Sequence, residues 1–402
     1  VIELLPVSGH LVAAPHARTV VAPAYDALDP EQRRAHTAAH PESFLTALPT
    51  GEVDAGTLDG NRRAWERLLA DGRFRPLAGP AFMVLELTEH GHTVTAVIGD
   101  VDVHHYLDGT IRPHEHVRPD RVQDLVRYLD TVEVASSPVC VLHRPDPDLA
   151  AVVARLRAGE PAVDAPLTDG ARIRLWEVRP GREQQAMLRA TRALAELTIA
   201  DGHHRAAAVA HRVGPAAVKP PEAADGTPVA GFGRLVLTAL VPADELRVEP
   251  FHRRIDGLEG VTAEAVAAVL AERGLRMEGL PGPAAPPGRG TIHLTVGGQW
   301  WAVRIGGRAG PGPVGSLDAH VVEREVVAPV STLEAQPEGA RVVAIPGPRG
   351  LDALARRDAV GIMLTPPTID ELLAVIAAGE VLPHKSTYLV PKLRSGVLVV
   401  PR

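Results

Sequence analysis

The chain has 402 residues, 45% of them hydrophobic and 23% charged, so it can bury a large core, and its length fits two or three domains better than one. A formal net charge of -7 supplies no clustered excess of Lys and Arg for duplex nucleic acid or an anionic membrane surface. One cysteine, Cys140, rules out an intrachain disulfide and a cysteine-based zinc site; no apolar run reaches bilayer length, and a reducing, cytoplasmic compartment is expected.

Val20 to Asp26 reads as an apolar step into a turn containing Pro23. Helices are predicted over Glu31 to His40, stopped by Pro41, and over Asn61 to Ala70, ended by Gly72. Phe82 to Thr88 and Thr93 to Gly99 flank the polar Glu89-His90-Gly91-His92 and predict a hairpin. A helix is expected from Val122 to Leu129. Leu149, Val152, Val153 and Leu156 recur at helical spacing ahead of Gly159, and a further helix fits Glu183 to Leu197. Phe232 to Val241 is a long apolar stretch bounded by turn residues, which predicts a buried strand near the centre of a sheet. Pro/Gly-rich stretches, Leu280 to Gly290 and Gly306 to Gly315, bracket Thr291 to Ile305, whose Gly297-Gly298 pair predicts another hairpin. Thr368-Ile369-Asp370-Glu371 matches a capping box for a helix that Gly379 closes.

The stretch most informative about chemistry is Leu197 to Ala210, which passes from an apolar segment through Asp201-Gly202 into an Ala-rich helix beginning His203-His204-Arg205. A glycine there admits close backbone approach, and the first helical amides are donors at the positive end of the helix dipole. Three cationic or protonatable side chains at a helix start oppose that dipole unless an anion sits there, which favours a phosphate site over the plainer reading of a capped helix with surface histidines. A shared metal is disfavoured for His203 and His204, because adjacent helical side chains diverge by about 100°.

Ile111-Arg112-Pro113-His114-Glu115-His116-Val117 is the second candidate. Glu115 could serve as a general base towards a hydroxyl. His104, His105, His114 and His116 lie nearby in sequence, but without the His-Glu-x-x-His spacing they read as loop histidines rather than a zinc site, and no metal ligand is assigned. The third candidate is Gly379 to Lys392. Lys385 with Ser386 and Thr387 offers an ammonium and two hydroxyls that suit a phosphate or carboxylate, or else forms a solvated loop; it is not a P-loop, whose glycines precede the lysine.

In this order the stretches resemble the domain-of-unknown-function family 1015 nearly end to end. Its markers stand here as Pro23-Ala24-Tyr25-Asp26, Pro41-Glu42-Ser43-Phe44-Leu45, Pro113-His114-Glu115, Ile199 to Arg205, Lys385-Ser386-Thr387 and Pro391-Lys392. More distantly the chain is similar to free L-serine kinases with a ParB-like nucleotide-binding fold, which share a Pro-His-Glu stretch, Asp-Gly-His-His-Arg, a Pro-Thr helix, Gly-Glu and Lys-x-Thr.

The resemblance implies an α/β (α+β) fold with a ParB/sulfiredoxin-like nucleotide-binding core. The expected divisions are an N-terminal segment 1–95, the core 96–250, and a C-terminal domain 251–402 carrying the Lys-Ser-Thr loop. It also implies a kinase that moves phosphate from ATP or ADP, with Mg2+, to L-serine or a related metabolite. Glu115 would be the base, assisted by Asp201 and His204. Gly202, His203, His204 and Arg205 would hold nucleotide phosphates, while His114, Lys385, Ser386 and Thr387 would hold the acceptor.

The chain departs from these patterns at Ala24, at His116-Val117 and at Ile173, and in a longer spacing from Glu115 to Asp201. An O-phosphoserine phosphatase and a ParB-like nucleotide switch without turnover are the alternatives. No nucleic-acid or membrane partner is expected, and a homo-oligomer is compatible with the sequence.

Overall fold

A computed structural model describes residues 2–24, 28–51, 53–214, 232–258, 260–282, 287–333, 339–347, 351–382 and 385–402. Tyr25 and Asp26 lie outside the described residues, as do Pro383 and His384 of the third candidate stretch. The chain is a mixed α/β protein that divides into two compact units, both discontinuous in sequence. The first comprises Val1–Pro113, Val117–Leu246 and Pro391–Arg402; the second comprises His114–His116 and Arg247–Val390.

The first unit is built on an eight-stranded mixed sheet. Its strands are β1 (Phe82–Glu89), β2 (His92–Asp102), β3 (Ile111–Arg112), β4 (Val139–His143), β5 (Val163–Pro166), β6 (Arg172–Val178), β7 (Leu197–Asp201) and β8 (Leu235–Pro242), in the spatial order β3-β7-β4-β8-β2-β1-β6-β5. The expected hairpin is β1–β2, turning through His90 and Gly91, both at positive φ, as a two-residue hairpin loop requires. The strand expected near the sheet centre is β8, which runs parallel to β4 and antiparallel to β2. Six consecutive buried residues, Val236 to Val241, explain its unbroken apolar run: a central strand is covered on both faces.

The described helices of this unit include α1 (Pro30–Ala39), α2 (Ala55–Ala70), α3 (Pro119–Val132), α4 (Pro147–Arg157), α5 (Arg182–Arg192) and α6 (His203–Val213). α6 packs on β8 and β4 and against α3, which packs in turn on α2. Two boundaries differ most from the sequence expectation. α2 starts six residues before Asn61, because Asp54 caps it by accepting from Thr57 N at 2.6 Å. The helix expected to reach Leu197 ends at Arg192, since Leu197 is claimed by β7 through its pairing with Ile111 of β3. Tertiary pairing overrides an uninterrupted helical pattern here.

The second unit is organised around a six-stranded antiparallel sheet of β9 (Phe251–Asp256), β10 (Met277–Leu280), β11 (Thr291–Val296), β12 (Gln299–Arg304), β13 (Arg341–Pro346) and β14 (Ala359–Met363), in the order β10-β12-β11-β14-β9-β13. β11 and β12 form the hairpin predicted at Gly297-Gly298, both at positive φ. Ile255, Ile292, Leu294, Val303, Val360 and Ile362 project from these strands into one core with Val266 and Leu270 of α7 (Ala263–Glu272). Each such side chain contributes about 1.5–3 kcal/mol on burial. α8 (Ile369–Ala377) carries the predicted capping box: Thr368 Oγ1 accepts from Glu371 N, and Glu371 accepts from Thr368 N. Among the described residues no helix is long and apolar enough to cross a membrane.

Candidate functional site

In the first unit the candidate turn forms where β7 gives way to α6. The register against β4 slips between Ile199, opposite Val141, and Asp201, opposite Cys140, so the last strand residue is re-aimed just before the helix begins. Gly202 is the N-cap residue with φ 99°, and its carbonyl accepts from Arg205 N at 2.9 Å and Ala206 N at 3.1 Å. A Cβ added there would meet Arg205 Nε and Nη2 at 2.7 Å, so the glycine lets the guanidinium lie against the turn.

Asp201 is gripped from two sides. Its Oδ2 accepts from Arg205 Nη2 at 2.5 Å and its Oδ1 from Lys392 Nζ at 2.7 Å. Removal from water would by itself raise the Asp201 carboxyl, but Lys392 and Arg205 outweigh it and hold the group well below the usual carboxylate range. Two cations therefore converge beside an ionised carboxylate at the start of a three-turn helix. Adjacent Cys140 is buried, which pushes its thiol up to about 12, with Asp201 adding to the shift; it is no nucleophile.

This arrangement amends the charge argument made from sequence. Part of the anion that offsets the cations at the helix start is internal, because Asp201 answers both Arg205 and Lys392. His203 is buried rather than turned to solvent. The ring of His204 is partly exposed, and its Nε2 accepts from Arg118 N at 3.0 Å. Since a backbone amide can only donate, that nitrogen is unprotonated and the ring's proton sits on Nδ1. Lys392 was recognised in sequence only as part of a family marker, Pro391-Lys392. Its partnership with Asp201 across 191 positions had no local signal.

In the second unit the structure brings together the other two stretches. Glu115 bridges Leu382 in parallel, and Leu382 N donates to the His114 carbonyl at 2.9 Å. Glu115 Oε1 accepts from Lys385 N at 3.3 Å, joining residues 270 positions apart. Lys385 sits at φ 54° with an exposed side chain, and its Nζ lies 5.9 Å from the centre of the Phe251 ring. Its carbonyl accepts from Arg253 Nη1 at 3.2 Å, and Arg253 Nε donates to Glu323 Oε1 at 2.5 Å. His114 and Ser386 are buried, Glu115 and Thr387 partly exposed, and His116 exposed. Of the N-terminal markers, Ser43 is buried and caps a short helical turn by accepting from Leu45 N at 3.4 Å.

A left-handed glycine, a helix start and two fixed cations are a donor set of the kind that suits an anion such as phosphate, and the space a side chain at position 202 would need is taken by the Arg205 guanidinium. Mg2+ fits less well, because both oxygens of Asp201 already face cations, whose charge repels a divalent ion.

The chain belongs to the family described as "Protein of unknown function (DUF1015)", whose model matches residues 4–320. Among curated proteins no match is found. Among solved structures it is similar to a C-terminally truncated SbnI from Staphylococcus aureus, at 15% identity and a TM-score of 0.41, covering 76% of this chain and 87% of that one. It is also similar to free serine kinase in complex with AMP, at 14% identity and a TM-score of 0.37, covering 75% and 91%. A conserved hypothetical protein from Pyrococcus furiosus is similar at 13% identity and a TM-score of 0.35, covering 73% and 90%.

Proposed function

We propose that this chain is a small-molecule kinase that transfers a phosphoryl group from ATP or ADP to the hydroxyl of free L-serine or a related metabolite. The observation that carries the reading is the convergence of Glu115 with Lys385, Ser386 and Thr387, two stretches that the serine-kinase resemblance assigns to one reaction. Glu115 receives the proton of the acceptor hydroxyl as the oxygen forms its bond to phosphorus. The bond from that phosphorus to the leaving phosphate oxygen breaks, releasing ADP or AMP and O-phosphoserine. Gly202, His203, His204 and Arg205 hold the nucleotide phosphates, His203 and Gly202 through the turn's backbone rather than a side chain, and Lys392 joins them in neutralising charge. Lys385, Ser386 and Thr387 hold the carboxylate or new phosphate of the acceptor, and His114 supports the Glu115 backbone. Mg2+ would reach the reaction bound to the nucleotide, and no step here depends on it.

Phosphorus NMR of the full chain with L-serine and Mg2+, run separately with ATP and with ADP, tests this. O-phosphoserine should appear in the wild type and fail to appear with Glu115→Gln. If no phosphate moves in either direction while nucleotide still raises the melting temperature, the kinase reading fails and a nucleotide-binding switch replaces it.

A further inference from the structure

The helical turn His104–Leu107, directly after β2, places two neighbouring histidines and an aspartate in one cluster of the first unit. A ring nitrogen of His104, a ring nitrogen of His105 and a carboxylate oxygen of Asp108 lie within 4.8 Å of one another. The two rings are nearly in contact, with centroids 3.8 Å apart and planes inclined by 39°. His105 is buried, 7% exposed, and its Nδ1 has no hydrogen-bond partner although it faces Asp108 Oδ2 at 3.9 Å. A buried ring nitrogen aimed at a carboxylate and too far from it to bond is costly to leave unmade.

The surroundings are built in the way metal sites are. Asp102 is ionised, since both its oxygens accept from the Arg234 guanidinium at 2.9 Å. Its Oδ1 lies 3.0 Å from His104 Nδ1, so that nitrogen must donate, which fixes the ring and leaves its lone pair on Nε2. A carboxylate behind a histidine in this manner orients the ring and raises its basicity as a ligand. Asp108 is held as well, because one of its oxygens accepts from Thr110 N at 2.8 Å while the other faces His105. Its side chain is 39% exposed, which leaves solvent access on that side.

We propose that His104, His105 and Asp108 bind a divalent transition-metal ion of the zinc class, with water completing the coordination. Two imidazoles and one carboxylate suit zinc better than Mg2+, which takes oxygen ligands. Ligand distances of about 2.0–2.1 Å put tetrahedral donors about 3.4 Å apart, so the cluster closes by roughly 1 Å on binding. The proposal does not depend on the kinase reading. His114 and His116 belong to the other unit.

The test uses the full, tag-free chain stripped with chelator and titrated with Zn2+, then with Co2+ as an optical probe. Roughly one equivalent of Zn2+ should bind, Co2+ should give the visible bands of a low-coordinate nitrogen and oxygen site, and Asp108→Asn and His105→Gln should each weaken binding at least about tenfold. Asp108 is exposed, so its variant remains informative if replacement of the buried His105 disturbs folding. Equal Zn2+ binding by wild type and Asp108→Asn, or no stoichiometric binding by the wild type, would overturn the proposal.

Discussion

The Asp201 turn of the first unit and the Glu115–Lys385 cluster of the second are held by different forces. At Asp201 a left-handed glycine and two ion pairs fix a carboxylate at the junction of a strand and a helix. At Glu115 the contacts run through backbone: Leu382 N to the His114 carbonyl, Lys385 N to the Glu115 side chain, and Arg253 to the Lys385 carbonyl. The first arrangement depends on side-chain charge and tolerates little substitution. The second holds Lys385 by its backbone and leaves its exposed side chain over the Phe251 ring.

Mutation should expose that contrast, and the largest effect falls on chemistry. Glu115→Gln should lower phosphoryl transfer about 100- to 10,000-fold while leaving the melting temperature near wild type, because glutamine still offers an oxygen to Lys385 N. Rates by phosphorus NMR and melting by calorimetry check both halves; wild-type turnover would remove Glu115 from the mechanism.

The next effect is a pH dependence carried by the second unit. His252, on β9 beside Arg253, is buried and accepts from Leu364 N at 3.2 Å. Burial, with Arg253 adding, lowers its pKa from 6.5 to about 4. The unfolded chain therefore takes up this proton first, and stability falls as pH drops from 6.5 towards about 4, by about 2–3 kcal/mol for this group. The Asp201 carboxyl, depressed below its usual 3.8, keeps its contribution until still lower pH. Urea unfolding followed by tryptophan fluorescence should show a flatter profile over that window in His252→Gln.

A smaller loss is expected from Gly202→Ala, about 1–3 kcal/mol, from positive φ and the encounter with Arg205. It should also abolish the nucleotide-induced rise in melting temperature. The least effects come from the paired lysines. A double-mutant cycle of Lys392→Met with Asp201→Asn should give a coupling of about 1–2 kcal/mol, reduced from a fully buried pair because Asp201 is 36% exposed. Lys385→Met should change stability by less than about 0.5 kcal/mol, since that side chain is exposed. Equal stability losses at the two lysines would erase the distinction drawn between the two regions.

Much of this was legible in the chain. The turn at Asp201-Gly202, the hairpins at His90-Gly91 and Gly297-Gly298, the capping box at Thr368 and the central placement of the Val236 to Val241 run all follow from residues within a few positions of one another. The helix expected up to Leu197 overran because nothing local to Gly181–Leu197 reveals that Ile111 pairs with Leu197. The ion pair of Asp102 with Arg234, 132 positions away, and its contact with His104 have no local signal in the sequence.

The sequence by itself determined where several turns fall, which of the strongly patterned segments are strands or helices, and which residue types gather near each turn. These rest on steric limits, capping and periodicity, which act over a turn or two of chain. Only the tertiary structure decided that Lys392 answers Asp201 across 191 positions, that Lys385 meets Glu115 across 270, and that residues 114–116 belong with a unit otherwise composed of residues 247–390. Charge pairing and hydrogen bonding depend on distance in space, and for residues so far apart in the chain that distance is set by how the sheets assemble.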